Sequence, residues 1–227
     1  VLTLNGERLK SQLEKEGSNM PFEFSKRIVF RAKLKPMTIN RVSCRHESGP
    51  KPKLPEMPQS RSFSYGPFTV RFNGVGYLSG IEKNGREYLR DGVKIKIYRD
   101  CEDPWTCAAS QKGELLGEMK LASPARAAEI MGLKTEEAPS LRIIEDGEVR
   151  TVVEGIYCYE DSWACIRYSI SRQHGEVGME IRLFNTLRSV MFKLEIPAAM
   201  ENVRFRGRTA FGVDELECDG SEVVAQH

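Results

Sequence analysis

Apolar and polar residues alternate with a period of two along much of this chain, the spacing of strands that bury one face and wet the other. Val93-Lys94-Ile95-Lys96-Ile97-Tyr98 alternates throughout. Glu180-Ile181-Arg182-Leu183 and Phe192-Lys193-Leu194-Glu195-Ile196 repeat the pattern, as does the second half of Arg27–Leu34. Phe68–Phe72, Val149–Tyr159, Trp163–Ile170 and Val203–Phe205 add further β-rich runs. Between them stand Asn73-Gly74, Asn84-Gly85, Asp91-Gly92, Asp146-Gly147 and Asp219-Gly220, steps that favour positive φ and close tight hairpins. Short strands and turns in this succession predict an all-β fold of antiparallel sheets stacked as a sandwich. One helix is expected, Pro124–Met131, with Ser123 as its cap and Pro124 in its first turn.

The segment 46–62 carries Pro50, Pro52, Pro55 and Pro58 and little apolar content, which predicts an extended connector. It divides the chain into residues 1–45, too short for a comfortable domain and expected to belong to a small β-domain, and a large sandwich over 63–227. The chain has no initiator Met, and Ser221–His227 reads as a strand that no turn closes, so a fragment of a longer protein is expected, with a natural C-terminal edge strand as the alternative.

Composition narrows the function classes. The 227 residues are 40% hydrophobic and 29% charged, with 34 basic and 32 acidic side chains interspersed, which argues against nucleic acid as a partner. No apolar run is long enough to predict a membrane span. The six cysteines form no C-x-x-C pair, and no His lies at zinc-finger spacing from them. Six reduced thiols and a cytoplasmic location are the expectation. A two-residue loop at Asp161-Ser162 would set Cys158 directly opposite Cys165, near disulfide distance, and this pair is the exception to watch.

Catalytic signatures are sparse. His46, His174 and His227 are the three histidines, and each sits in a linker, a turn or a terminus, so none predicts a nucleophilic triad. No nucleophile elbow, P-loop or dinucleotide fingerprint occurs. Glu145-Asp146-Gly147-Glu148 is the densest acidic cluster, and as a turn it is expected to be solvated. Tyr98-Arg99-Asp100-Cys101-Glu102-Asp103-Pro104-Trp105 sets carboxylates beside an aromatic ring after a predicted strand, the combination that holds sugars. A loop whose Trp105 folds back as a hydrophobic anchor is the alternative.

Four stretches, taken in order, resemble glycoside hydrolase family 38, the retaining α-mannosidases, and especially its bacterial branch. Met20–Phe30 looks like the end of the family's small β-domain, and Gly76-Tyr77-Leu78-Ser79-Gly80-Ile81 like the opening of its large sandwich. Glu102-Asp103-Pro104-Trp105 is similar to its Asp/Trp loop, although Thr106-Cys107 follows where bacterial members carry Gly. Ile144–Glu154 resembles its E-x-G-x-v-R strand, and Leu194-Glu195-Ile196-Pro197 its L-K-x-x-[FI]-P step. The likeness covers most of residues 20–227 and implies a galactose-mutarotase-like supersandwich. It also implies a chain without catalytic residues or metal site of its own, packed against an upstream catalytic domain that binds a divalent metal, usually zinc. The substrate would be an α-mannoside, with Asp103 and Trp105 as the residues here that line the sugar site. A free-standing carbohydrate-binding or protein-interaction β-sandwich is the alternative function.

Overall fold

The computed structural model describes residues 1–15, 26–45, 47, 53–100, 113–201, 204–209 and 211–216. They form an all-β sandwich-type fold of antiparallel sheets with one short helix.

The N-terminal residues supply β1 (Leu2–Leu4), β2 (Glu7–Leu9), β3 (Ser11–Leu13), β4 (Ile28–Phe30) and β5 (Val42–Cys44). They pair as a three-stranded sheet ordered β2-β1-β5 and a separate β3-β4 ribbon. The strand predicted over Arg27–Leu34 is therefore only its first half, Ile28–Phe30. Leu2 is buried, whereas Leu34, Met37, Ile39 and Val42 are exposed, so the described residues of this N-terminal part have almost no core of their own.

The larger body begins at β6 (Ser62–Tyr65), followed by β7 (Phe68–Phe72), β8 (Leu78–Lys83) and β9 (Arg86–Glu87), a four-stranded meander. Asn84 and Gly85 close its β8–β9 turn with φ of 53° and 74°, the positive-φ pair that the Asn-Gly step predicts. Asn73 works differently from that expectation: its Oδ1 accepts the amides of Val75 at 3.2 Å and Tyr77 at 2.9 Å, so its side chain makes the turn. β10 (Lys94–Arg99) lies between β11 (Leu115–Glu118) and β17 (Val190–Glu195) in a three-stranded sheet.

The remaining large sheet contains β12 (Lys120–Leu121), β13 (Leu141–Asp146), β14 (Arg150–Tyr159), β15 (Ser162–Ser171) and β16 (Val177–Phe184). Between β12 and β13 runs α1, Pro124–Ile130, where the Ser123 hydroxyl accepts the Arg126 amide at 3.3 Å. Its buried Ala127 and Ala128 face Ile156 and partly cover Cys158 and Cys165. A two-stranded hairpin, β18 (Phe205–Thr209) and β19 (Gly212–Leu216), ends the described chain; of the run predicted over Val203–Phe205, Phe205 opens β18 and Val203 lies outside the described residues.

The inward faces of the three large sheets share one core. Phe72 meets Tyr168 edge-to-face at 5.1 Å, and Tyr77 stacks on Tyr157 at 5.9 Å, tying the meander to the five-stranded sheet. The buried hydroxyls are satisfied: Tyr157 donates to the Gly76 carbonyl at 2.7 Å and Tyr77 to that of Met119 at 2.6 Å.

The core is not closed all round. By register, Leu183 faces the same side as the fully buried Ala164, and Leu194 the same side as buried Ile95. Yet Leu183 and Leu194 are 42% and 40% exposed. β16 and β17 are edge strands among the described residues, and the sandwich opens along that flank.

Candidate functional site

Asp103 and Trp105 lie outside the described residues, as does the whole Cys101–Lys112 segment that carries the sugar-binding expectation. Its attachment points are well defined. The Arg99 amide donates to the Glu114 carbonyl at 2.8 Å, and the Arg99 Nε to the Glu114 carboxylate at 3.2 Å. The Asp100 amide donates to the Ser189 carbonyl at 2.9 Å. The stem is thus held by β10, β11 and the start of β17, as a strand-borne loop requires.

The acidic cluster is not solvated as expected. A β-bulge in β13 pairs Ile143 with Val153 but Glu145 with Val152, which turns Glu145 from the core side to the outer face. There its side chain is only 4% exposed. It receives Nε and Nη2 of Arg150 at 2.9 and 3.1 Å, and the Lys15 amide at 2.6 Å. Gln12 completes the joint, its Nε2 donating to Glu145 at 3.3 Å. Its Oε1 accepts the amides of Val149 and Arg150 at 3.0 and 2.9 Å. Glu145 therefore clamps the N-terminal ribbon to the sandwich; Asp146 is half-buried against Arg172 and Thr151, and Glu148, 3.8 Å from Arg8, is exposed. A Cβ at Gly147 would stand 2.6 Å from the Gln12 Oε1, so the glycine of the Asp-Gly step is needed for this close approach.

A second buried carboxylate lies on the same outer face. Arg142, Glu154, Arg167 and Glu180 line up across β13, β14, β15 and β16. Glu154, with a side chain 5% exposed, receives Nε and Nη2 of Arg142 at 3.2 and 2.9 Å. Nε of Arg167 approaches its other oxygen at 2.9 Å. Burial would raise the carboxyl pKa, but the two guanidinium groups outweigh it and hold Glu154 below the ordinary glutamate value. Beside this triad is a recess of about 150 Å³, walled by Ile130, Met131 and Trp163 and bordered by Arg182 and Lys15. Trp163 stacks on Phe184 at 5.6 Å.

The cysteine geometry differs from the expectation. The two-residue loop is Glu160-Asp161, with Glu160 at φ 50°, so Tyr159 pairs with Ser162, Cys158 with Trp163 and Cys165 with Ile156. Cys158 and Cys165 share a face diagonally rather than directly, and both are free thiols, like exposed Cys44. Burial, reinforced by the neighbouring Glu154 charge, pushes the Cys165 thiol up to about 12. His174 lies in the β15–β16 turn, where its amide donates to the Ser171 hydroxyl and its carbonyl accepts Lys83. His46 and His227 lie outside the described residues.

Among the described residues no group of three or more His, Cys, Asp or Glu side chains is placed to hold a metal ion. No described helix is long and apolar enough to cross a membrane. No protein-family model matches the chain, and no curated protein sequence matches it.

Sequence reasoning missed Gln12, Arg142, Glu154 and Arg167. The signal for the last two was available: with the β14–β15 turn placed at Glu160-Asp161, Glu154 falls opposite Arg167.

Proposed function

We propose that this chain is a non-catalytic β-domain portion of an α-mannosidase-like retaining glycoside hydrolase, supporting the fold and lining part of the sugar site. The observation that carries this is the seam between residues 1–45 and the sandwich. The resemblance implies a small β unit leading into a large sandwich, and Glu145 and Arg150, quoted for the likeness, form that seam with Gln12. The half-wet inward residues of β16 and β17 lend further support, because an element built to pack against other polypeptide leaves such a flank.

In such a parent, a carboxylate nucleophile and an acid/base carboxyl group act through a glycosyl-enzyme intermediate. Those groups and the zinc-binding residues belong to the upstream domain. The contribution of this chain is positional: the Arg99–Glu114 stem presents the segment with Asp103 and Trp105, Asp103 accepting a sugar hydroxyl and Trp105 offering a stacking face.

The purified 227-residue chain, supplied with zinc, is expected not to hydrolyse an aryl α-mannoside. In the parent enzyme, Asp103→Ala should lower kcat/KM by about tenfold or more, since a hydrogen bond to a charged group contributes roughly 1.5–3 kcal/mol. Metal-dependent turnover by the purified chain would overturn the proposal. Unchanged kinetics at unchanged stability in Asp103→Ala would remove the sugar-lining role. Saturable binding of mannose oligosaccharides by the chain alone would favour the free-standing module instead.

A further inference from the structure

The recess beside Glu154 is chemically asymmetric. Its apolar wall is Ile130, Met131 and Trp163, and its polar side carries Lys15, Arg142, Arg167 and Arg182 against the single carboxylate of Glu154. Glu180 accepts from Arg182 at 2.8 Å, so among the described residues three arginines face two carboxylates here.

The two inner arginines are fixed without being used up. Each guanidinium has five N–H donors. Arg142 commits Nε and Nη2 to Glu154, and Arg167 commits only Nε. The Arg142 Nη1 and both Arg167 Nη atoms have no hydrogen-bond partner among the described residues, and none is among the buried atoms left unsatisfied. Among the described residues these donors are uncommitted, although the Arg167 side chain is only 16% exposed. A guanidinium anchored through Nε keeps a planar pair of Nη donors, the fork that matches two oxygens of a tetrahedral oxyanion. Purely structural pairing of Glu154 needs one arginine; the second leaves the triad with a surplus positive charge inside a half-enclosed recess.

We propose that this recess binds a small phosphate monoester, the phosphate on Arg142, Arg167 and Arg182 and a single ring against Trp163 and Ile130. The volume of about 150 Å³ suits one ring, since an apolar cavity of that size takes benzene. A phosphate carries about −1.5 to −2 at neutral pH and offers three strong acceptor oxygens, which occupy two guanidinium forks better than the two oxygens of a carboxylate do. The proposal does not rest on the α-mannosidase reading.

Phenyl phosphate is the probe, titrated at low salt against the 227-residue chain carrying Trp105→Phe, so that Trp163 is its sole tryptophan. Saturable change in Trp163 fluorescence is expected, with phenyl phosphate binding about tenfold tighter than inorganic phosphate, phenol or benzoate, because only it engages both walls. Arg182→Ala, at an exposed position, should weaken binding about three- to tenfold with the melting temperature preserved. Arg167→Lys keeps the charge but loses the fork and should weaken it about tenfold. Mannose 6-phosphate, tested in the same way, distinguishes a sugar ring from an aromatic ring as the body of the ligand; tighter binding of either supports the site. The absence of saturable binding of both esters would overturn the proposal, as would equal affinity in wild type, Arg182→Ala and Arg167→Lys.

Discussion

The Oε1 atom of Gln12 accepts the backbone amide of Arg150 at 2.9 Å, across 138 positions of sequence. The same oxygen takes the Val149 amide, so one side-chain amide caps the end of the β13–β14 turn. The N-terminal ribbon is held to the sandwich by this bond, by the Glu145 carboxylate and by the Arg31–Glu176 and Arg150–Glu14 ion pairs, with few of its described apolar residues buried.

Gly147→Ala therefore tests the joint. The added methyl group would meet the Gln12 side chain at 2.6 Å and force it aside, at a cost of about 1–3 kcal/mol. Urea unfolding should show that loss. In a Gln12→Ala background the same substitution should cost markedly less, because its obstacle is gone. Equal costs in the two backgrounds would show that the glycine answers to backbone geometry alone.

Glu154 should make the fold sensitive to acid. Its folded pKa is depressed below the ordinary value of 4.5, so its stabilisation is complete above that value and lost as pH falls through the folded pKa. Glu154→Ala leaves two part-buried guanidiniums around an empty position and should cost about 3–5 kcal/mol at neutral pH. Glu154→Gln should lose less. Its melting temperature should converge on that of wild type as the pH is taken well below 4.5; curves that stay parallel would sink this account.

Tyr157→Phe removes a hydroxyl that donates to the Gly76 carbonyl and lies 3.3 Å from the Tyr168 hydroxyl, while keeping the ring stacked on Tyr77. The expected loss is about 1–3 kcal/mol, because the buried Gly76 carbonyl is left without that donor. Thermal unfolding measures it. Tyr65→Phe deletes only a half-buried hydroxyl bonded to Thr151 and should cost less.

The thiols should alkylate unequally. Iodoacetamide attacks the thiolate, and burial pushes Cys165 up to about 12 and raises Cys158 as well. Peptide mapping of native protein at mildly alkaline pH should find exposed Cys44 labelled well before either. Labelling of Cys165 at the rate of Cys44 would contradict the packing of α1 over that face.

Period-two alternation made the strands legible: β7 matches Phe68–Phe72 residue for residue, and β14 and β15 fall within one residue of their predicted limits. α1 was equally readable from Ser123 and Pro124. Register was not. Choosing Asp161-Ser162 over Glu160-Asp161 as the loop displaces the pairing of β14 with β15, and with it which residue meets Cys158 or Glu154. The burial of Glu145 was invisible for a similar reason. Its orientation depends on one extra residue, Ile144, in a bulge that alternation does not announce. Gln12 gives no local sign of its role, since the amides it caps lie in a different part of the fold.

The open flank between β16 and β17 bears on how the chain resists denaturants. The slope of stability against urea follows the surface newly exposed on unfolding, and the heat-capacity change follows its apolar part. Leu183, Phe184, Leu194 and Ile196 already meet water in the folded chain. Unfolding consequently uncovers less fresh surface than a closed sandwich of equal length would, giving a shallower urea transition and a flatter stability curve. Whatever covers that flank would steepen both in proportion to the area it hides.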